Sequence, residues 1–273
     1  MIEVSDLTVR YGRKRAVDAL SITVRQGESV LLAGANGSGK TTLLRSMCGL
    51  LIHRGKPVRV DGRTLNHRSR RRIAYIPASI SFYDSLRVGE AIRLHASCFQ
   101  DFTYRPPAEF EIERHRRVGT LSKGEKTLFI LSLALATHPN YLLIDDVIHF
   151  LDPHLRELFL KTILGLIEEQ QLGLLMAAQS AFDIEGILDR VVVLDKGKIV
   201  LDEAVERLKG SFVRVYSDRL AANLPVVFTR DWGDFKEFFL YPYSDRMETG
   251  GRVDFLTLSE IVHATIGGKY GGH

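Results

Sequence analysis

Residues 34–41 read G-A-N-G-S-G-K-T, a glycine-rich stretch that ends in a lysine and a threonine. Glycines let the backbone curl so tightly that successive N–H groups converge on phosphate oxygens, and this spacing is typical of a P-loop. Lys40 is expected to contact the outer phosphates and Thr41 to contact Mg²⁺. The stretch therefore predicts a nucleotide site whose loop residues are Asn36, Gly37, Ser38, Gly39, Lys40, Thr41 and Thr42.

A second stretch, L-L-I-D-D-V-I-H-F-L-D-P at residues 142–153, places two carboxylates side by side after an apolar run. Paired acids at the end of a buried strand are suited to holding a metal and positioning a water. Asp145 occupies the position where a P-loop protein has its second Mg²⁺ contact. Asp146 is the candidate for positioning the water, and its short side chain raises the question whether the carboxylate reaches that water.

The elements around these motifs alternate between strands and helices. Continuous apolar runs at residues 29–33, 73–76, 141–144, 172–178 and 190–194 are typical of strands buried on both faces of a parallel sheet. Helical patterns follow or precede them at residues 41–51, 126–137 and 155–170. The P-loop thus lies between a strand and a helix, and the order predicts an α/β fold with crossover connections.

Three segments depart from this alternation. The first 28 residues alternate apolar and polar side chains, which predicts an antiparallel β subdomain. Residues 79–137 carry a helical pattern at 88–99, a Pro-Pro break and a charged stretch at 109–118, and we expect an inserted α-helical subdomain. After residue 210 new strand-like runs begin. We therefore predict an ATP-binding domain over 1–210 and a small α+β extension over 211–273.

Composition excludes several classes of protein. The chain of 273 residues is 45% hydrophobic and 26% charged, which argues against disorder. Its apolar runs are shorter than a membrane span, and its start resembles no secretory signal. The net charge is +4, and the basic run at 68–72 lacks the interleaved aromatics of a nucleic-acid surface. No nucleic-acid partner is expected.

Over residues 1–205 the sequence resembles the nucleotide-binding subunit of ABC transporters. L-S-K-G-E at 121–125 resembles the signature of that family, usually LSGGQ, and F-L-D-P at 150–153 resembles its D-loop. The resemblance implies that Tyr11 stacks on adenine. It also implies that two such domains face head to tail, with Ser122 and Gly124 meeting ATP held by the partner. Glu125, where glutamine is usual, is expected to weaken that contact.

The signature also has a local explanation in the sequence. Ser122 and Glu125 have the spacing of a capping box at the start of an apolar helix. The exposed N–H groups of a helix N-terminus attract anions, so capping and phosphate contact are compatible.

Three positions depart from the family pattern. Where the family has its Q-loop glutamine, this chain has Ala78, and Ser79 or Ser81 are the alternative residues for that role. Where the family has its catalytic glutamate, this chain has Asp146, and where the family has its switch histidine, it has Gln179. Each change removes a different part of ATP hydrolysis, so slow turnover is expected at this P-loop while ATP binding survives.

The resemblance also implies partners and a location. We expect separate membrane-spanning transporter subunits and a second ABC ATPase subunit, in a homodimer or in a heterodimer whose other site is competent. The protein is expected in the cytoplasm, on the inner face of the cell membrane, and similarity to ABC-2-type exporters favours export. A non-hydrolysing, ATP-dependent dimerisation switch, or a regulatory ABC protein, is the alternative.

The extension after residue 210 has no counterpart in the resemblance. Strands are expected at 212–216, 225–229 and 252–258 and a short helix at 259–266, packed on the α/β domain. Its aromatics, Trp232, Phe238 and Phe239, are candidates for contact with a second subunit. On this hypothesis, cutting the chain after Gly210 leaves ATP binding nearly intact and converts a nucleotide-free dimer to a monomer.

Overall fold

The computed structural model describes residues 1–51, 53, 57–79, 83–107, 109–181, 184–217, 220–221, 223–233 and 235–267. Ser81, one of the alternative Q-loop positions, lies outside these ranges. The strands are β1 (Ile2–Tyr11), β2 (Lys14–Val24), β3 (Ser29–Gly34), β4 (Val58–Val60), β5 (Arg63–Thr64), β6 (Ile73–Ile76), β7 (Tyr141–Asp145), β8 (Gly173–Ala178), β9 (Arg190–Asp195), β10 (Lys198–Ala204), β11 (Val213–Tyr216), β12 (Val226–Asp231), β13 (Lys236–Leu240) and β14 (Arg252–Phe255). The helices are α1 (Lys40–Met47), α2 (His67–Arg70), α3 (Val88–Cys98), α4 (Lys123–Leu135), α5 (Pro153–Gln170), α6 (Val205–Ser211) and α7 (Leu258–Gly267).

A six-stranded sheet in the order β10-β9-β3-β8-β7-β6 forms the centre of the molecule. Its strands run parallel except for β10, which pairs antiparallel with β9. The predicted α/β fold with a mostly parallel core sheet is therefore confirmed. Within the described residues, no helix is both long enough and apolar enough to span a bilayer.

The strands of this sheet are buried on both faces, as their continuous apolar runs predict. Because side chains alternate along a strand, Leu31 of β3 lies in one core and Val30 and Leu32 lie in the other. The first core also contains side chains of α4, α5 and α7. The second contains side chains of α1 and of an antiparallel sheet in the order β2-β1-β4-β5. That sheet is the predicted N-terminal β subdomain.

The inserted segment is less helical than its charged stretch suggests. Between β6 and α4, the described residues form one α-helix, α3, and a short 3₁₀ turn at Val118–Thr120. Residues 109–117 form no helix: Phe110 and Ile112 are buried on alternate positions, and the carbonyl of Arg114 accepts a hydrogen bond from the N–H of Gly89. The stretch thus passes the start of α3 without forming a helix, with a turn in which the N–H of Arg116 donates to the carbonyl of Glu113.

The C-terminal extension forms an antiparallel sheet in the order β12-β13-β11-β14, followed by α7. The expected strands and helix are present, but the last strand is shorter than expected, because it ends at Phe255 and α7 begins at Leu258. β13 is an additional strand that the sequence analysis missed. Phe239 is not available to a partner, because it is 1% exposed and stacks on Phe228 with ring centroids 4.2 Å apart. Trp232, by contrast, is 56% exposed.

The hydrophobic core continues across the predicted boundary at Gly210. Leu258, Ile261 and Val262 of α7 are fully buried in the same core as Leu31. α7 packs against β3 and β9 of the central sheet and against α6. The extension therefore covers part of the central sheet with α7, while Val213, Val215 and Leu240 of its strands form a small separate cluster. The domain boundary itself stays a prediction.

Candidate functional site

The glycine-rich loop joins β3 to α1, as its flanking patterns predict. Gly39 is the N-cap of α1 with φ of 115°, a conformation that side chains disfavour. A Cβ added at Gly39 would lie 2.4 Å from the carbonyl oxygen of Ala16, so only glycine fits there. This close approach fixes the loop at the N-terminus of α1, where the helix N–H groups favour an anion.

Lys40 lies at the first position of α1 and is 7% exposed. Its ammonium group donates hydrogen bonds to the carbonyl oxygens of Gly34 at 2.6 Å and Ala35 at 3.1 Å. Burial lowers the pKa of Lys40, and the carboxylates of Asp146 and Asp145 oppose that shift. The lysine thus brings a positive charge beneath the loop, close to both acids.

Asp145 ends β7 and is 2% exposed. One carboxylate oxygen accepts a hydrogen bond from the Thr41 hydroxyl at 3.0 Å, and the other accepts one from the Tyr75 hydroxyl at 3.1 Å. Burial raises the pKa of Asp145, and the charge of Asp146 adds to that rise, while the hydrogen bonds from Thr41 and Tyr75 oppose it.

The donor set at this point suits magnesium. A threonine hydroxyl and a carboxylate, 3.0 Å apart, are hard oxygen ligands, and Mg²⁺ commonly takes one or two protein oxygens together with phosphate oxygens. The described residues contain no cluster of three or more His, Cys, Asp or Glu side chains that could hold a metal alone. The pair of Thr41 and Asp145 therefore fits an ion shared with a bound phosphate chain.

Most of the predicted nucleotide residues line one cavity of about 410 Å³, which we call the P-loop cavity. Its lining includes the predicted residues Tyr11, Asn36, Gly37, Gly39, Lys40, Thr41, Thr42, Asp145 and Asp146, together with Lys14, Ala16 and Ala78. Lys14 was missed by the sequence analysis, although it belongs to the basic run that follows Tyr11; it is the first residue of β2.

Four predicted site residues lie outside the P-loop cavity within the described structure: Ser38, Ser122, Gly124 and Gln179, the last of which lines a neighbouring cavity. Ser38 is 3% exposed, and its backbone stabilises the loop. Its N–H donates a hydrogen bond to the carbonyl of Ala35, and its carbonyl accepts one from the N–H of Gly197. Ser122 and Gly124 lie at the start of α4, away from the cavity lining.

Asp146 and Gln179 lie close together in the structure. The Gln179 side-chain nitrogen lies 3.4 Å from one Asp146 carboxylate oxygen. The imidazole of His149, which the sequence analysis did not single out, lies 3.5 Å from the other oxygen. Asp146 also has φ of 52°, an uncommon backbone conformation for a residue other than glycine.

The signature segment forms the predicted capping box. The Ser122 hydroxyl accepts a hydrogen bond from the Glu125 N–H at 3.1 Å, and the Ser122 N–H donates to the Glu125 carboxylate at 2.7 Å. Gly124 has a packing reason as well, because an added Cβ would lie 2.7 Å from Leu155 of α5. The start of α4 is thus held by its own residues, with Ser122 exposed.

The negative charge of Glu125 is compensated, which changes the expectation that it weakens an anion contact. Arg116 donates a hydrogen bond to its carboxylate at 2.9 Å. Burial opposes ionisation of Glu125, but hydrogen bonds from Arg116 and Ser122 outweigh that effect and lower its pKa. The carboxylate is therefore ionised and paired. Arg116 stands in the charged stretch, and nothing in the local sequence pattern links it to Glu125.

Comparison with known proteins agrees with this geometry. A family model described as ABC transporter matches residues 17–149. The cobalt import ATP-binding protein CbiO of Syntrophus aciditrophicus is 36% identical over 226 residues, covering 76% of this chain and 79% of that protein. The Nod factor export ATP-binding protein I of Ralstonia nicotianae is 26% identical over 272 residues, covering 93% of this chain and 80% of that protein.

A solved structure shares the fold. It is a dimeric ATP-binding cassette in a post-hydrolysis state, bound to ADP and phosphate, with a TM-score of 0.66 and 20% identity over 75% of this chain and 98% of that one. Together with the 36% identity to CbiO, these matches show that the chain belongs to the family of ABC transporter ATP-binding proteins.

Proposed function

We propose that this chain is the ATP-binding subunit that energises a membrane transporter, and that it holds Mg·ATP in the P-loop cavity. The observation that carries the proposal is the convergence, in one cavity, of the loop backbone, the Lys40 ammonium group and the oxygen pair of Thr41 and Asp145. Tyr11, which is 51% exposed at the cavity edge, stacks on adenine in this proposal. The ion would neutralise phosphate charge.

The hydrogen bond from Tyr75 to Asp145 gives a test of the metal site. Replacing Tyr75 by Phe removes a hydrogen bond that favours the ionised carboxylate, so the pKa of Asp145 rises further. A protonated Asp145 binds Mg²⁺ poorly. ATP binding by Tyr75→Phe should therefore need about tenfold more Mg²⁺ than the wild type, and the difference should grow as the pH falls.

Titration of a fluorescent ATP analogue at graded Mg²⁺ concentrations, at two pH values, measures this shift. Tyr141→Phe is the matched control, because its hydroxyl donates to Asp61 at 2.8 Å, away from the P-loop cavity. An identical Mg²⁺ requirement for wild type and Tyr75→Phe would argue against Asp145 as the metal ligand.

We further propose that hydrolysis at this P-loop is slow. Ala78 lines the cavity with a methyl group, which offers neither a metal ligand nor a hydrogen bond to water. Asp146 is shorter than glutamate by one methylene, about 1.5 Å, and a displacement near 1 Å can cost about 100-fold in rate. Gln179 can donate a hydrogen bond but carries neither the charge nor the proton of an imidazole.

Turnover of the purified chain tests this part of the proposal. The combined change of Asp146→Glu and Gln179→His should raise kcat on the order of 10- to 100-fold. The glutamate extends the carboxylate toward the attacking water by one methylene, and the histidine supplies the imidazole. The affinity for ATP should stay unchanged, since Lys40 and the loop are untouched. Phosphate release and analogue binding measure the two quantities, and Lys40→Ala serves as the control that loses binding. Fast ATPase in the unmodified, partner-free protein would refute slow hydrolysis.

The partner in this proposal is a second ABC ATPase subunit, whose nucleotide meets Ser122 and Gly124. Support comes from the position of these residues: they lie at an exposed helix N-terminus outside the chain's own P-loop cavity. The pairing of Glu125 with Arg116 keeps that end of α4 from repelling an anion. The signature of this chain retains most of the family pattern, whereas its own hydrolytic site departs from it. This contrast favours a heterodimer in which this chain completes the competent site of its partner.

The remaining parts of the proposal concern the membrane. In this proposal, separate membrane-spanning subunits respond to the conformational change that ATP binding and hydrolysis cause in the ATP-binding subunits. This chain is therefore expected at the inner face of the cell membrane. Export is favoured by the similarity of its signature to exporter ATPases. The match to the Nod factor export protein supports it as well, because that match covers 93% of the chain and so reaches into the C-terminal extension.

An ATP-dependent dimerisation switch without turnover is the second candidate, and it rests on the same three positions, Ala78, Asp146 and Gln179. The two functions differ in one measurement. Adding the cognate ATPase and membrane subunits should stimulate phosphate release from a transporter, whereas a switch would bind ATP and associate with no rise in phosphate release.

A further inference from the structure

The Asp146 side chain lines two neighbouring cavities. On one side it lines the P-loop cavity together with Lys40 and Thr41. On the other side it lines a cavity of about 270 Å³ with His149 and Gln179. A carboxylate in this position can face the nucleotide on one side while other side chains hold it from behind.

Each oxygen of the Asp146 carboxylate has one nitrogen near it on that second side. Nδ1 of His149 lies 3.5 Å from Oδ1, and Nε2 of Gln179 lies 3.4 Å from Oδ2. A nitrogen beside each of the two oxygens restricts the rotation of the carboxylate.

The backbone and its neighbours bring His149 to this place. The residue lies in a 3₁₀ turn, Ile148–Phe150, that begins two residues after Asp146, so the two side chains stand three positions apart on the same side of the turn. Ile148 is 8% exposed and anchors the turn in the core. The Phe150 ring lies 4.0 Å from the imidazole, centroid to centroid, with Lys123 on that ring at 5.0 Å.

We propose that His149 is a positioning residue for hydrolysis: it supplies, from the segment after β7, the imidazole that position 179 lacks. Resting on the proposed function, this assigns the residual turnover of the P-loop site to Asp146 held jointly by His149 and Gln179. The histidine acts on the carboxylate, and the carboxylate faces the nucleotide. Loss of the imidazole should therefore affect the chemical step and leave ATP binding intact.

The experiment uses the full chain with Mg·ATP and separates kcat, KM and the dissociation constant of a fluorescent ATP analogue. His149→Ala should lower kcat by about tenfold or more, because the short Asp146 loses its orientation. KM and the dissociation constant should stay within about twofold of the wild type, as for an interaction made only in the transition state. His154→Ala, an exposed histidine at the start of α5, is the control and should leave kcat unchanged.

Rescue distinguishes positioning from a structural role. Adding Gln179→His to His149→Ala returns an imidazole to the other oxygen of Asp146 and should recover most of the lost kcat. His149→Asn keeps an N–H donor on a shorter side chain that lacks the imidazole, and its kcat should fall between those of the wild type and His149→Ala. Melting temperatures of all variants should agree, since the His149 side chain is 53% exposed.

Several results would overturn the assignment. These are a kcat of His149→Ala equal to that of the wild type, a loss that Gln179→His does not rescue, or a wild-type chain that binds ATP without detectable turnover. Failure of the wild-type chain to bind Mg·ATP is a different result, since it would refute the proposed function itself.

Discussion

Ending the chain after Gly210 is expected to abolish the cooperative folding of what remains, and ATP binding with it. The reason is the position of α7, whose apolar side chains complete the core on one face of the central sheet. The cut would remove Leu258, Ile261 and Val262, each fully buried, and would expose Leu31 of β3 and Val191 of β9 to water.

The magnitude of this loss is comparable to the entire net free energy of unfolding of a typical protein. A fully buried aliphatic or aromatic side chain contributes about 1.5–3 kcal/mol. The side chains removed from the shared core include Phe239, Leu256, Leu258, Ile261 and Val262. Together they amount to on the order of 10 kcal/mol, whereas the net stability of a protein is about 5–15 kcal/mol. This reverses the sequence-based expectation that truncation leaves ATP binding nearly intact.

Urea denaturation and ATP-analogue binding of the 1–210 chain test the expectation, and a point variant tests its cause. Ile261→Asp places a charge in the shared core and should cost more than about 3 kcal/mol. His263→Asp, on the exposed side of the same helix, is the matched control and should cost little. A folded 1–210 chain with unchanged ATP affinity would show that α7 is dispensable. Any contribution of Trp232 to a dimer is then better tested by Trp232→Ser in the full chain.

Elements whose signals lie within a short stretch of sequence could be predicted from the sequence alone. The run at residues 30–33 is apolar at every position because both faces of β3 are covered. The glycines after it match a loop where Gly39 meets the carbonyl of Ala16. The capping box of Ser122 and Glu125 was predictable for the same reason, since its partners stand three residues apart.

Contacts between distant segments were not predictable in this way. Tyr75 and Asp145 lie 70 positions apart along the chain and meet because β6 and β7 are neighbours in the sheet. β13 was missed because its stretch, K-E-F-F-L, lacks clear alternation: both faces of the strand are covered, so Phe239 and Leu240 are buried at successive positions. The shared core of α7 has a similar cause, since an amphipathic pattern indicates a buried face without identifying what covers it.

Ser122→Arg is expected to abolish the ATPase activity of the assembled transporter, and to do so more severely than Asp146→Asn. In the proposed heterodimer the signature of this chain acts on ATP held by the partner, so Ser122 serves the competent site. Asp146 faces the P-loop cavity of its own chain, which is the weak site. A long side chain at the start of α4 would occupy the space in which the helix N–H groups meet the partner's phosphate.

The fold should tolerate this change, which makes the loss of activity interpretable. Ser122 is exposed, and its hydroxyl contributes one capping hydrogen bond, to the N–H of Glu125 at 3.1 Å, so its removal should cost only about 1 kcal/mol. Arg116 continues to hold Glu125 at 2.9 Å. Folding of the variant and ATP binding at its own P-loop should thus be preserved.

The size of the effect follows from what the signature does for the partner site. Loss of preorganised donors to a reacting oxyanion costs on the order of 100- to 1,000-fold in kcat, so Ser122→Arg should reduce phosphate release by about 100-fold or more. Thr120→Arg adds the same side chain two residues earlier, at another exposed position, and should leave most of the activity. Asp146→Asn should produce a smaller loss, limited to turnover at the weak site. Equal losses from Ser122→Arg and Asp146→Asn would instead indicate a symmetric homodimer, in which each chain uses both residues in every cycle.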